Sequence, residues 1–308
     1  MHIMNTLDNN FTLRGLGTAL VTPFRDGEVD YEAFGALVDR QVLGGVDFLV
    51  PLGSTGETPC LEDDEKVALT EYAASRCGGK PVMVGVGTNS LKQTVRNIRL
   101  LENRGADIFL VVVPYYNKPT QRGMYEYFKA VASETDKPVV LYNVPSRTGS
   151  NMTSDTALEL AAIGNIIAVK EASGDMDQIR RIIEGAPEGF TVLSGNDDQT
   201  LELMKAGGAG VISVVSNIAP ALMAALVAAA RDGDFDTAEK LNARLFPLFK
   251  GCFMESNPIP VKAGLAAMGL IRNELRLPLV PCEQSTYERM EQIISELAEE
   301  RDFERPAE

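Results

Sequence analysis

Histidine is almost missing from this chain. One occurs in 308 residues, His2, in an amino-terminal stretch, MHIMNTLDNNF, that reads as a mobile tail. Histidine acid–base catalysis and histidine-based metal sites are thereby set aside, and proton transfer falls to tyrosine, lysine, serine, threonine or carboxylates. Cysteine is sparse as well. Cys60, Cys77, Cys252 and Cys282 are far apart with no CxxC pair, which fits reduced thiols in a cytoplasmic protein better than a disulfide frame. Positive charge is in deficit: 29 Lys and Arg stand against 43 Asp and Glu, a formal charge of −14. A phosphate backbone needs a cationic surface, so nucleic acid is not an expected partner. Long apolar runs are lacking too. The longest, Ala221 to Ala230, is too short to span a bilayer, so no membrane association is expected, and no basic-then-apolar leader opens the chain.

What is present is a rhythm. Short apolar runs open near Thr18, Phe48, Val82, Ile108, Val139, Ile166, Thr191 and Val211. Segments of helical period lie between them, such as the one carrying Leu91, Val95 and Ile98. Strands alternating with helices predict βαβ units and a parallel sheet. Eight units predict a closed (β/α)8 TIM barrel, for which about 250 residues is typical. An open doubly wound sheet is the alternative, but no GxGxxG follows a first strand. After Gly233 the strand rhythm stops. Helical segments are expected over 235–252, after the NPIPVK of 257–262, and over 284–301. The chain thus divides into a barrel with the catalytic site (1–233) and a C-terminal helical domain (234–308), the last residues frayed.

Active sites of such barrels lie at the carboxyl ends of the strands. The sixth run, IIAVKEASGD (166–175), ends on Lys170 and passes at once into small and polar residues. Lysine is rarely buried; where it is, the charged form is disfavoured, and a neutral amine forms Schiff bases with carbonyl compounds. A lysine that snorkels to the rim or pairs with Glu171 is the plainer reading. The second run ends in Gly53-Ser54-Thr55-Gly56-Glu57, whose hydroxyls and N–H groups suit a carboxylate-sized anion; without GK[ST] it is not a nucleotide loop, and a hydroxyl-rich turn before a helix starting near Glu62 is equally open. At Thr22 a structural role is favoured, and Asn89 or Ser90 caps the helix from Leu91. The fourth run ends in Tyr115 and Tyr116, which could carry protons or simply pack. The fifth presents Tyr142, Asn143 and Arg147, whose guanidinium could take a carboxylate bidentately or form a surface ion pair. One lysine, several hydroxyls, tyrosines and an arginine at one mouth fit Schiff-base chemistry on a small carbonyl compound bearing a carboxylate.

GSTGE (53–57), PYYNKP (114–119), YNVPSRTG (142–149), VKEASGD (169–175), LSGND (193–197) and NPIPVK (257–262) together resemble the pyruvate-dependent class I aldolase superfamily of sialic acid lyase and dihydrodipicolinate synthase. The likeness runs from about Arg14 to about Pro281, and Arg147 within YNVPSRTG resembles the dihydrodipicolinate synthase branch. The resemblance implies condensation of pyruvate with L-aspartate 4-semialdehyde, toward diaminopimelate and lysine, without metal or organic cofactor. An aldolase acting on a sugar acid such as N-acetylneuraminate is the alternative; a regulatory pyruvate-binding relative would need a broken catalytic set. A homotetramer built as a dimer of dimers is also implied.

By position, the resemblance makes Lys170 the Schiff-base lysine and Tyr142 the proton donor and acceptor. Thr55 and its amide hold the pyruvate carboxylate. Tyr116 reaches into a neighbouring subunit and completes a hydroxyl relay with Ser54 and Tyr142. Arg147 holds the semialdehyde carboxylate. Gly195 and Ile212 line the pyruvate pocket through backbone carbonyls. Ser54 stands where threonine is common, so the hydroxyl remains without the methyl that limits χ1. In relatives inhibited by lysine, the effector lies near the segments matching 58–66 and 89–93, with Tyr115. Asn89 and Tyr115 fit that pattern. Lys66, in place of an uncharged group, and Gln93, in place of a carboxylate, imply weak or absent lysine feedback.

Overall fold

The computed structural model describes residues 11–299; His2 and the final residues of the chain lie outside them. Eight parallel strands form the sheet: β1 (Gly15–Ala19), β2 (Phe48–Val50), β3 (Met83–Gly85), β4 (Ile108–Val112), β5 (Val139–Asn143), β6 (Ile166–Glu171), β7 (Thr191–Ser194) and β8 (Gly210–Ser213). β1 pairs with both β2 and β8, β3 to β8 pair in sequence order, and β2 and β3, the two ends of the sheet, are joined only by a parallel bridge between Leu49 and Val82, so the ring is nearly closed. All eight expected runs are strands. An added hairpin, Phe24–Arg25 with Glu28–Val29, precedes the first helix; two-residue strands carry too little periodicity to be read from sequence.

Helices α1 (Tyr31–Leu43), α2 (Asp63–Arg76), α3 (Leu91–Leu101), α4 (Gln121–Ala132), α5 (Ser154–Ala161), α6 (Met176–Gly185), α7 (Thr200–Lys205) and α8 (Pro220–Arg231) alternate with the strands. Their starts are written locally. Glu62 and Glu65 form a capping box on α2, Ser90 rather than Asn89 caps α3, and Asp175 accepts two N–H bonds at the start of α6. Beyond the barrel come α9 (Phe235–Gly251), α10 (Ile259–Ala267) and α11 (Gln284–Glu299). α10 begins inside NPIPVK rather than after it, because Pro260 near its start needs no N–H donor there.

Alternation along the strands decides what faces inward. Val140 and Tyr142, Ala168, Leu193 and Ile212 pack in an inner cluster closed at the amino end by Leu13. Leu141, Val169, Val192 and Val211 pack outward under the helices. A register irregularity between Val139 and Val140 pairs Val140 with Ala168. From Ala168 on, successive side chains alternate, so Lys170 shares the inward phase and Glu171 the outward one.

Candidate active site

The carboxyl ends of the strands surround a cavity of about 730 Å³. Ser54, Thr55, Tyr142, Arg147, Lys170 and Gly195 all line it. Tyr116 and Ile212 do not. Ile212 is fully buried in the inner cluster, and Val214, two residues on, makes the wall there. Tyr116 is 88% exposed and has φ +71°, a left-handed conformation unusual for an aromatic residue. Its neighbour Tyr115 lines the cavity instead.

Lys170 lies beside Tyr142 in register on adjacent strands. Its Nζ stands 4.2 Å from the centroid of the Tyr142 ring, and the lysine is 6% exposed. The plainer alternative, an ion pair with Glu171, does not form: the strand's alternation sends that carboxylate to the other side. There Glu171 is fully buried and accepts hydrogen bonds from Asn143 Nδ2 (2.6 Å), Ser173 Oγ (2.9 Å) and Gln178 Nε2 (3.3 Å). Burial nevertheless pushes its carboxyl up to about 7.

Gly195 closes the site from β7. A methyl group there would stand 2.7 Å from Ala172 Cβ and 3.1 Å from Lys170 Cε, so the lysine's path needs glycine. Asp197, two residues on, is buried and accepts from the Ser213 hydroxyl and from the Val214 and Val215 N–H groups, fastening the end of β7 to that of β8. Burial raises its carboxyl as well.

The Ser54–Gly56 stretch is a single 3-10 turn after β2. Thr55 is buried and Ser54 exposed to the cavity mouth. Thr22 serves structure, donating its hydroxyl to Gly56 O at 2.7 Å. Arg147 sits on a short helical turn, Pro145–Thr148, and donates from Nη2 to Asn257 O at 3.0 Å. Asn257 is a residue to which sequence reasoning assigned no part. It lines the cavity, is 5% exposed, and donates from Nδ2 to Thr55 Oγ1 at 2.9 Å. One residue thus ties the Ser54–Gly56 turn to the arginine. The available signal was its place in NPIPVK, whose prolines mark a constrained backbone.

At its other end the cavity reaches Lys66, Thr88 and Gln93. Lys66 Nζ stands 3.6 Å from Asp63, which also takes Arg96 at 2.6 Å. Among the described residues no group of three or more His, Cys, Asp or Glu could hold a metal ion, the four cysteines are free, and no helix is long and apolar enough to cross a membrane.

Residues 12–297 match the dihydrodipicolinate synthetase family model. The chain is 48% identical over 288 residues to a 4-hydroxy-tetrahydrodipicolinate synthase of Thermotoga neapolitana, covering 92% of this chain and 98% of the relative. The crystal structure of dihydrodipicolinate synthase from Thermotoga maritima superposes with TM-score 0.92 at 46% identity, covering 94% and 99% of the two chains. The enzyme from Cyanidioschyzon merolae, solved with lysine bound, superposes with TM-score 0.89 at 36% identity over 92% and 98%.

Proposed function

The chain belongs to the dihydrodipicolinate synthetase family, and from that membership and the cavity we infer that it condenses pyruvate with L-aspartate 4-semialdehyde to 4-hydroxy-tetrahydrodipicolinate. The observation that carries this reading is Lys170, inward-facing and nearly buried against Tyr142, in a cavity that Arg147 also lines. The Lys170 amine attacks the pyruvate ketone, and the carbinolamine loses water to give an imine. The Tyr142 hydroxyl supplies and removes the protons of these steps. Loss of a methyl proton gives the enamine, whose carbon attacks the aldehyde, forming the new C–C bond and regenerating the imine. The amino group of the semialdehyde then attacks the imine carbon, closing the ring and displacing Lys170 as the free amine. Thr55 and its N–H hold the pyruvate carboxylate, with the Gly195 backbone beside it. Arg147 holds the carboxylate of the semialdehyde.

Tyr116 acts away from its own cavity. An exposed tyrosine in a left-handed conformation is consistent with completing the site of a second copy, joining Ser54 and Tyr142 in a relay, in a homotetramer. A cytoplasmic location suits the free thiols. The Lys66–Gln93 end of the cavity is where a lysine effector would bind by analogy with relatives; a cation has been added and an anion removed around a cationic ligand, so feedback is weak. Asp63 offsets little, since it is shared by Lys66 and Arg96.

The test is reductive trapping. Pyruvate with borohydride, followed by mass spectrometry, places one label, on Lys170. A label on another lysine, or none on folded protein, overturns the Schiff-base reading; cleavage of N-acetylneuraminate in preference to semialdehyde condensation overturns the substrate reading.

A further inference from the structure

One buried charge pair takes no part in the chemistry above. Lys262 Nζ lies 2.6 Å from Glu57 Oε1, and neither side chain reaches solvent. Lys262 also donates to Thr22 O at 2.9 Å, while Glu57 Oε2 accepts from the Arg276 N–H at 3.0 Å. The ring of Phe24 lies beneath both cations, 4.3 Å from Lys262 Nζ and 4.6 Å from the Arg276 guanidinium carbon. Three regions distant in sequence meet here: the stretch after β1, the loop after β2, and the C-terminal region, through α10 (Lys262) and the loop that follows it (Arg276). Desolvating two charges costs about as much as their attraction returns, so a buried pair is weak evidence of stability. Its placement is more informative. Glu57 is itself in the left-handed region, φ +53°, immediately after the Ser54–Gly56 turn. Thr22, whose carbonyl Lys262 holds, donates its hydroxyl to Gly56 O. Five residues before Lys262, Asn257 holds the Thr55 hydroxyl.

We propose that Lys262 and Glu57 are a positioning pair for the condensation: they fix the backbone of Ser54–Gly56, and with it the aim of Thr55 at the pyruvate carboxylate. This rests on the reading of Thr55 as the group that holds that carboxylate. Lys262 does not line the cavity; Glu57 does, but both of its carboxylate oxygens are turned to Lys262 and to the Arg276 backbone N–H, so the carboxylate itself is not offered to a ligand. Their effect therefore passes through the turn.

The test is steady-state kinetics of the double variant Lys262→Met, Glu57→Gln, which removes both charges at similar volume and leaves no lone buried ion. The expected result is a pyruvate KM raised by about tenfold, the scale of a small misplacement of a binding group. The semialdehyde KM stays near wild type, and Lys170 is still trapped at saturating pyruvate. Thr55→Val is run beside it. If Thr55→Val raises the pyruvate KM and the folded double variant does not, the positioning proposal fails alone. If neither raises it, the carboxylate reading fails and the proposal falls with it. Should the double variant not fold, Lys262→Gln with Glu57→Gln, which also leaves no lone ion and keeps a donor for Thr22 O, is held to the same KM split.

Discussion

Glu171→Gln turns the outward neighbour of Lys170 into a measurement of what its burial costs. The Glu171 carboxyl is raised from 4.5 to about 7 by burial, against three hydrogen bonds that favour the charge. The folded chain therefore binds this proton more tightly than the unfolded chain. The stabilising contribution is fully present below about pH 4.5 and is lost as the pH rises through about 7, where folding must hold a bare carboxylate in the interior. The difference corresponds to about 3 kcal/mol. Glutamine carries no charge at any pH. It keeps an oxygen for Asn143 Nδ2 and can donate to Ser173 Oγ; the bond from Gln178 must rearrange, at a cost of about 1 kcal/mol. Melting temperatures of both proteins at pH 5 and pH 8 give the answer. The wild type loses ground to the variant between the two, by about 5 °C for a chain of this size, and the variant is the more stable protein at pH 8. A wild-type-minus-variant difference that is the same at both pH values refutes the reasoning, because it means that Glu171 does not change protonation on unfolding.

Arg147→Ala is expected to lower kcat/KM for the semialdehyde by about thirtyfold or more, the loss of a charge-assisted partner being worth about 2–5 kcal/mol, while pyruvate trapping on Lys170 persists; unchanged kinetics would make the arginine a surface residue held by Asn257. Initial rates at sub-saturating pyruvate are expected to show weak or no inhibition by L-lysine, and Lys66→His with Gln93→Glu to restore it. Strong inhibition of the wild type below about millimolar lysine, the range in which the lost charge partner should matter, would sink that expectation.

The barrel was legible because its signal is repeated eight times, and each apolar run between turn residues is a strand. Lys170 was legible only as the residue on which an apolar run gives way to small and polar ones; that its side chain takes the inward phase came from the strand register. Other features depend on partners far away in the chain. Glu57 reads as part of a hydroxyl-rich loop until Lys262, 205 residues on, is seen against it. Asn257 has no chemistry of its own in sequence; its meaning comes from Thr55 on one side and Arg147 on the other. Ile212 was carried over for a backbone carbonyl, and the side-chain sequence says little about which stretch of a strand end meets the cavity; here Val214 does. Tyr116 is exposed in one chain, so the relay proposed for it rests on a second copy.

The distribution of buried charge links these points. Among the described residues the buried ionised types are Asp30, Glu57, Lys170, Glu171, Asp197 and Lys262. The carboxyl or ammonium of each lies beyond or at the carboxyl end of a strand; the amino end is closed by the apolar Leu13. If such groups served stability, nothing would confine them to one end, since apolar substitutes of equal volume serve as well. They are gathered where backbone must be held in shapes that a strand does not provide. Glu57 and Lys262 fasten the turn after β2, Asp197 the exit of β8, and Glu171 with Asn143 the adjoining ends of β5 and β6. Those are the segments that carry Thr55, Val214, Tyr142 and Lys170. Each fixed segment therefore delivers one wall of the cavity, and charge is buried where the residues proposed to react have to be aimed.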